Sequence, residues 1–313
     1  TVKFNYPRTS NDETSTISGN ANFYNMEVST GTIMVLQAGS STTVNNTVTQ
    51  NGSIDARTFN NTFIYNGSNA QTVVNPAIGS GYHNLTLSGS GTKTFPASNV
   101  NIAGNLLLDA ALVSNSNTIT FNGIVPQTLS GSSASALNNV TLNNASGLTL
   151  SKNQKVDGTL TLTNGLITTG SNVLTLGCGA NTSGQSSSSY INGILARDYC
   201  GIGSKLFPIG KGGAYRPLNI ERTTGASGLT TIQSEQFEAT IAGVLPANTT
   251  AFTNRFWTIT QPEGSQSYKI QIDGTDFTPN GTAVILKGDG NSQSTLTALL
   301  ATTPNYTTVE AVS

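Results

Sequence analysis

The chain has 313 residues and a formal net charge of −1, and only 9% of its residues are charged. A near-neutral chain lacks the basic surface that nucleic acid or anionic lipid requires, and no apolar run reaches the roughly 18 residues of a membrane span. We therefore expect no nucleic-acid partner and no membrane insertion. The first residues already fit a strand, so we expect a mature or excised segment of a longer product.

Three short sequence patterns recur in constant order in the first part of the chain, with a period of about 55 residues. The first is an apolar strand start whose aligned positions are Phe4, Tyr65, Phe121 and Leu176. The other two patterns lie at residues 24–28, 83–87 and 138–142, and at residues 44–54, 102–112 and 156–166. Such self-similarity predicts a stack of repeats.

The apolar residues alternate with polar ones, as at Val140 and Leu142, which is typical of half-buried strands. Strand starts about 18 residues apart suggest the coils of a β-helix. The sequence therefore predicts an all-β protein whose residues 1–188 form a right-handed parallel β-helix of three 55-residue units. Each unit would hold three coils, nine in all, with Phe4, Tyr65 and Phe121 in inward stacks. The alternative is an antiparallel β-sandwich for each unit.

The pattern breaks at the serine-rich residues 183–189, and the later strand candidates are separated by ordinary turn signals. These candidates lie at residues 216–221, 229–233, 237–241, 256–260, 268–272 and 283–287. They predict an antiparallel, Ig-like β-sandwich over residues 189–313. A solenoid needs a cap at its open end, and we expect this domain to supply it.

Several segments resemble large secreted surface proteins of Bacteroidetes. The resemblance rests on residues 84–94, 158–167, 190–197, 205–218 and 255–259. It covers nearly the whole chain and implies an adhesin-like protein, located at the cell surface and exported by the type IX secretion system. Such cargo normally ends in a sorting domain that we do not recognise before Ser313, which implies that this domain has been removed or that the chain is a fragment.

The chain contains two cysteines, Cys178 and Cys200, at the junction between the repeats and the later strands. With a single histidine in the chain they cannot complete an ordinary four-ligand zinc site. An extracellular protein favours a disulfide between them, and the alternative is a pair of buried, unreactive thiols.

The sequence offers no catalytic constellation. His83 is the only histidine, and no Ser-His-Asp or Cys-His arrangement is evident around it. The acids of the repeat region do not suggest the paired carboxyls of a glycosidase; they are Asp12, Glu13, Glu27, Asp55, Asp109 and Asp157. Glycines 210–213 lack the spacing of a phosphate loop. We therefore predict no catalytic residue, no enzymatic activity and no organic cofactor.

Calcium is the one ion that the sequence suggests. Its candidate ligands are Asp273, Asp276, Asp289 and Asn291, in two segments that resemble calcium-binding loops. The alternative is a hairpin turn at each segment, because the residue expected to supply a bidentate carboxylate is Leu300.

Threonines alternate along two strand candidates, at Thr118 and Thr120 and at Thr159 and Thr161. Flat threonine arrays can match the lattice of ice, but the 55-residue alignment sets Thr161 beside Thr49 and Leu107, so the array is expected not to persist.

The predicted function is a structural or adhesive surface module, either a stiff spacer or a fibre subunit. Its expected partners are other surface modules, copies of itself and surface glycans. The alternatives are a carbohydrate-binding or carbohydrate-active β-helix protein and an ice-binding surface protein.

Overall fold

The computed structural model describes residues 1–4, 13–225, 228–240, 245–247, 253–264, 266–274, 284–288, 293–302 and 305–308. The described residues are strands and connecting turns, and they contain no helix that could cross a membrane. The chain divides into two compact units. The first comprises Thr1–Asn172 and Gly179–Gly184, and the second comprises Val173–Cys178 and Gln185–Ser313.

The strands of the first unit are short and numerous. In chain order they are β1 (Val2–Phe4), β2 (Glu13–Ile17), β3 (Asn20–Val28), β4 (Thr32–Leu36), β5 (Ser41–Gln50), β6 (Ser53–Asp55), β7 (Thr62–Tyr65), β8 (Gln71–Thr72), β9 (Gly81–Tyr82), β10 (Asn84–Leu87), β11 (Lys93–Thr94), β12 (Val100–Ile102), β13 (Leu106–Leu108), β14 (Leu112–Val113), β15 (Thr118–Phe121), β16 (Gln127–Ser130), β17 (Asn139–Asn143), β18 (Leu148–Leu150), β19 (Gln154–Val156), β20 (Thr159–Asn164), β21 (Ile167–Leu176) and β22 (Asn181–Ser183). The last four residues of β21 belong to the second unit.

These strands stack into parallel sheets. Sheet I has the order β1-β3-β5-β7-β10-β13-β16-β18-β21. Sheet II consists of β2-β4-β6 and β9-β12-β15-β17-β20-β22, joined by a parallel bridge between Ala56 and Tyr82. Sheet III has the order β8-β11-β14. Within the described residues the chain contributes nine successive strands to sheet I, so the first unit is a parallel β-solenoid of nine coils, as predicted.

The length of the coil differs from the prediction. One outward column of sheet I, in which each residue pairs with the next, consists of Asn22, Thr43, Ile64, Thr86, Leu107 and Ser130. The sequence number therefore rises by 21 to 23 from one coil to the next along this column. The predicted coil length of about 18 residues is wrong because it is too short. Phe121, for example, pairs with Leu142 rather than with Val140.

The 55-residue period is not a whole number of coils. Tyr65 lies in β7 of sheet I, whereas its aligned residue Phe121 lies in β15 of sheet II. Both side chains are fully buried, so the prediction that they point inward is confirmed, although they belong to different sheets. Phe4 is half-buried and packs edge-on against Phe23, with ring centroids 5.7 Å apart. The prediction of three coils per unit is wrong for the same reason.

The interior is filled by alternate residues of each strand, and neighbouring coils place them in register. Leu85 pairs with Leu106 and Leu87 pairs with Leu108, and all four side chains are buried. Each such side chain contributes roughly 2 kcal/mol through burial. Repetition of these apolar columns in successive coils makes the core continuous along the solenoid.

One feature that recurs with the period of about 55 residues is a corner of the chain with the sequence Asn-Gly-x-x-x-Gln. It occurs at residues 66–71 and 122–127. The side-chain oxygen of Gln71 accepts a hydrogen bond of 2.6 Å from the Gly67 N–H, and its amide donates to the carbonyls of Val44 and Asn46.

Gln127 repeats this arrangement in the second corner, with the Gly123 N–H as donor and the carbonyls of Ile102 and Gly104 as acceptors. A buried glutamine thus accepts from one backbone N–H of the turn and donates to two carbonyls of the preceding coil. The sequence recurs at these two corners because both turns use the same glutamine hydrogen bonds.

From residue 191 onwards the strands of the second unit pair antiparallel with one another, and an isolated parallel bridge joins Ile191 to Ile209. Its strands are β23 (Ile191–Tyr199), β24 (Gly203–Phe207), β25 (Gly210–Lys211), β26 (Ala214–Tyr215), β27 (Leu218–Arg222), β28 (Thr230–Phe237), β29 (Phe256–Glu263), β30 (Tyr268–Asp273), β31 (Val284–Gly288), β32 (Gln293–Thr302) and β33 (Asn305–Thr308). One series pairs in the order β23-β28-β29 and another in the order β24-β27-β30-β33-β32-β31.

One pair of predicted strands in this unit is a single strand. Residues 230–233 of the first candidate and Phe237 of the second lie in the continuous β28, while Ile241 lies outside the described residues. Polar residues at 234–236 suggested a turn, but Ser234 and Gln236 are buried, and they pair with Leu195 and Trp257 on opposite sides. Pairing with two neighbours keeps this polar segment extended.

Candidate functional site

The sequence candidates for acid–base chemistry are separated in the structure. His83 is half-buried, and burial lowers its pKa, which favours the neutral imidazole. Within the part of the chain that the structure describes, no group of three or more His, Cys, Asp or Glu residues could hold a metal ion.

Two described carboxylates of the first unit hold the backbone. Asp55 accepts hydrogen bonds from the backbone N–H groups of Arg57 and Thr58, and it closes the turn after β6. Asp109 accepts from the N–H and hydroxyl of Ser132 on the next coil. Both carboxylates therefore have a structural role in the solenoid.

The remaining acids of the repeat region lie apart. Glu27 pairs with Lys3 at 2.8 Å, and Asp157 lies 3.6 Å from Lys155. Asp12 lies outside the described residues, and Glu13 begins β2.

Most of the calcium candidates lie outside the described residues, namely Asp276, Asp289 and Asn291. Asp273 ends β30 and pairs in the ladder with Asn305. The calcium hypothesis therefore stays a prediction. The glycine-rich segment has a structural role, because Gly212 and Gly213 take φ values of +61° and +86° in the tight turn between β25 and β26.

The structure joins Cys178 and Cys200 by a disulfide, with their Cα atoms 5.6 Å apart. Both cysteines belong to the second unit. The Lys205 ammonium donates a hydrogen bond of 2.6 Å to the Cys178 carbonyl. This crosslink and hydrogen bond hold residues 173–178 to the strands that follow them in the second unit.

The most regular chemical surface of the described residues lies on the outer side of sheet II. In β15, β17 and β20, outward threonines fall beside one another, because Thr120 pairs with Thr141 and Thr141 pairs with Thr161. A second column lies one alternation earlier, where Thr118 pairs with Asn139 and Asn139 precedes Thr159 in the next coil. We define the hydroxyl array as Thr118, Thr120, Thr141, Thr159 and Thr161.

This arrangement corrects the sequence alignment of the threonines. The 55-residue period aligned Thr161 with Thr49 and Leu107 as equivalent positions of other units, whereas its neighbours in the structure are Thr141 and Ser183. The alignment compared residues that lie in different sheets, and it missed the array. The signal that could have found it is the recurrence of Thr/Asn-x-Thr at positions 118, 139 and 159, once in each coil.

The hydroxyl array differs from the asparagine ladders elsewhere on the solenoid, whose polar groups bond to each other. The Asn84 amide donates to the Asn60 side chain at 3.0 Å, and the Asn84 side chain accepts from the Asn105 N–H at 2.8 Å. By contrast, the hydroxyls of Thr118, Thr120 and Thr141 have no hydrogen-bond partner among the described residues. They are therefore available to solvent or a ligand.

At the β20 end of the array, polar groups have hydrogen-bond partners within the protein. The Thr161 and Ser183 hydroxyls lie 3.2 Å apart, and the Asn139 side chain accepts from the Thr159 N–H at 2.8 Å. No outward position of β12, β15, β17, β20 or β22 carries a charged side chain. The surface therefore presents uncharged hydrogen-bonding groups in two columns.

Comparisons of this chain with protein-family models, with curated proteins and with solved structures found no match.

Proposed function

We propose that this chain is a non-enzymatic structural module of an extracellular surface protein of the Bacteroidetes type, exported by type IX secretion. Its first unit serves as a stiff spacer or fibre segment, a right-handed β-helix. Its second unit is an Ig-like β-sandwich. The expected partners are other surface modules, further copies of the chain and surface glycans.

The observation that carries this proposal is the parallel hydrogen-bonded ladder of sheet I, which continues through nine coils. Every coil contacts its neighbours through backbone hydrogen bonds and apolar columns such as Leu85, Leu106 and Leu129. Stretching such a stack along its axis would break many of these bonds together, which suits a load-bearing spacer. At about 4.8 Å per coil, eight steps span roughly 40 Å.

The buried polar side chains of the first unit support the same proposal. Lys93 is fully buried, and its ammonium donates to the carbonyls of Gly67 and Gly91 at 3.0 and 2.6 Å. Burial lowers its pKa, and both of the described hydrogen-bond partners of the ammonium are backbone carbonyls. Lys93 pairs with Gln71 in sheet III, so successive coils use different residues to bind the corner carbonyls.

The test is the location of the native protein and its contribution to attachment. Antibodies raised against the 313-residue chain should label intact cells of the source organism, and protease treatment of those cells should remove the label. Deleting the coding region for residues 1–188 should weaken attachment to surfaces without abolishing growth. Labelling that requires permeabilised cells, or catalytic depolymerisation of a polysaccharide by the purified chain, would contradict the proposal.

A further inference from the structure

We propose that the hydroxyl array, formed by Thr118, Thr120, Thr141, Thr159 and Thr161, binds the surface of ice. The ligand is crystalline water, which is a grid of hydrogen-bonding oxygens. This inference goes beyond the spacer function and does not depend on it, because an ice-binding face can act on an isolated chain.

The first argument is geometric. Neighbouring strands of a parallel sheet lie about 4.8 Å apart, and residues on the same side of one strand lie about 6.6 Å apart. Thr118 and Thr120 define the second spacing, and the column Thr120, Thr141 and Thr161 defines the first. The hydroxyls therefore form a nearly rectangular grid, and its repeats resemble those of oxygen atoms on a prism face of ice.

The second argument is that the grid is regular. The pairing of β15 with β17 has no shift, and the shift between β17 and β20 falls after Leu142, beyond the array. The column through Thr120 continues to Asn101 on one side and Ser183 on the other. The five positions of this column span about 19 Å across the coils.

The third argument is chemical. The unpartnered hydroxyls of Thr118, Thr120 and Thr141 can donate to and accept from water. Each threonine also carries a methyl group, so the water above the array is held at fixed points and excluded between them. Charged groups would impose their own hydration, and the outward positions of these strands carry none.

The absence of outward aromatic side chains on these described strands favours ice over a sugar. Small-molecule sites are usually concave and lined by aromatic or apolar side chains. The outward positions in β12, β15, β17, β20 and β22 hold only Thr, Ser and Asn. A repeating, uncharged face matches a repeating ligand better than it matches a single ring.

Sheet I provides a matched control, because its outward threonines form a narrower pattern. Thr128, Thr149 and Thr168 make one column there, but the column beside it contains Leu107 and Ser130. Thr149 occupies the middle of its column, as Thr141 does in the array. A substitution at Thr149 therefore alters an outward threonine of the same solenoid without touching the two-column grid.

The experiment measures thermal hysteresis and the shape of single ice crystals in solutions of the full 313-residue chain. The unsubstituted chain should produce faceted crystals and a measurable hysteresis. Thr141→Tyr should lose most of that hysteresis, because the ring lifts the array away from the ice surface, whereas Thr149→Tyr should retain it. Circular dichroism should show the same β signal for both variants.

The double variant Thr120→Val and Thr141→Val keeps the side-chain shape and removes only the hydroxyls. It should melt at a similar temperature and show reduced hysteresis, so it tests the site even where Thr141→Tyr does not fold.

Three results would overturn the proposal. They are hysteresis no greater than that of a non-ice-binding protein at equal concentration, equal losses in the Thr141 and Thr149 variants, and unchanged hysteresis in the folded valine variant. Binding of the unsubstituted chain to insoluble polysaccharide without any effect on ice would assign the array to glycans instead.

Discussion

The two units of this protein use different kinds of side chain to hydrogen-bond their buried backbone groups. In the solenoid, neutral amides do most of this work, and Gln71 and Gln127 occupy equivalent corners. In the second unit, the cationic side chain of Arg222 is almost completely buried and donates to the carbonyls of Tyr199, Thr224 and Gly228.

The difference follows from the two architectures. In the solenoid, a corner with one local sequence occurs twice, so a short neutral side chain with three hydrogen bonds serves in both, while Lys93 binds the corner carbonyls on the coil next to Gln71. The antiparallel unit has connections that do not repeat, and a long guanidinium with five donors can reach carbonyls in separate segments. The predictions below test this contrast. The only tryptophan, Trp257, lies in the second unit and reports on that unit alone.

The largest expected effect is in the second unit. Arg222→Met should lower its stability by about 4 kcal/mol, because several buried carbonyls lose a charged donor at once. The measurement is denaturant unfolding followed by Trp257 fluorescence. Lys269→Met, on the neighbouring strand, is the control and should cost far less. Equal losses of stability in the two variants would show that the buried hydrogen bonds of Arg222 contribute no more than the Lys269 side chain does.

Removing the disulfide should destabilise the same unit somewhat less. Its sequence separation of 22 corresponds to about 3 kcal/mol of lost constraint on the unfolded chain. Cys178→Ser, Cys200→Ser and the double variant should therefore give the same loss in Trp257-detected unfolding. A double variant that is markedly less stable than either single variant would indicate that the two cysteines stabilise the unit separately.

In the solenoid, Gln127→Ala should cost about 2 kcal/mol, because it leaves the Gly123 N–H and the Gly104 carbonyl without their side-chain partner and removes one of the two hydrogen bonds that the Ile102 carbonyl accepts. Far-ultraviolet circular dichroism should detect the loss, while the midpoint seen by Trp257 should move less. Gln37→Ala is the control, since the Gln37 side chain has no described hydrogen bond. A shift of the Trp257 midpoint larger than that of the circular dichroism midpoint would contradict the proposed difference between the units.

The last predicted effect, similar in size to that of Gln127→Ala, is a loss of solenoid stability at alkaline pH. Burial raises the pKa of Tyr65 from 10.0 to about 12, and it also raises the pKa of Tyr82. Since the folded pKa lies above the unfolded value, the protonated phenols contribute their stability fully below pH 10. That contribution is lost as the pH rises towards 12, by on the order of 2 kcal/mol for Tyr65.

Thermal melts across this pH interval check the sign. Tyr65→Phe should flatten the slope, whereas Phe63→Leu, a packing change beside the same ring, should lower stability at all pH values alike. A slope that is unchanged in Tyr65→Phe would exclude this phenol as its source.

Sequence reasoning identified the β-class of the fold and the nine coils of the solenoid, because alternation and turn residues are local properties. It failed on the coil length because the spacing between similar strand segments does not show which residues pair. It failed on the number of coils per unit because the 55-residue period reflects a recurring corner sequence. Tyr65 and Phe121 share a local sequence, yet they lie in different sheets. Only the pairing register between strands shows whether a sequence repeat marks a recurring corner or a full turn of the solenoid.

The same failure hid the hydroxyl array. Whether Thr161 has a threonine beside it depends on which residue of the preceding coil pairs with it, and an alignment of repeat units does not identify that residue. The buried roles of Lys93 and Arg222 were also missed, since nothing local in the sequence distinguishes a buried cation from an exposed one. Burial of these groups depends on carbonyls supplied by other strands or by turns.

The most direct test of this account measures one distance across sheet I. Asn22 and Ser130 lie in one column, separated by five successive strand pairings. Spin labels on Asn22→Cys and Ser130→Cys, with the native disulfide intact, should therefore show a narrow distribution near about 24 Å. Coils of about 18 residues would place the labels six strands apart, at about 29 Å, and that result would contradict the account.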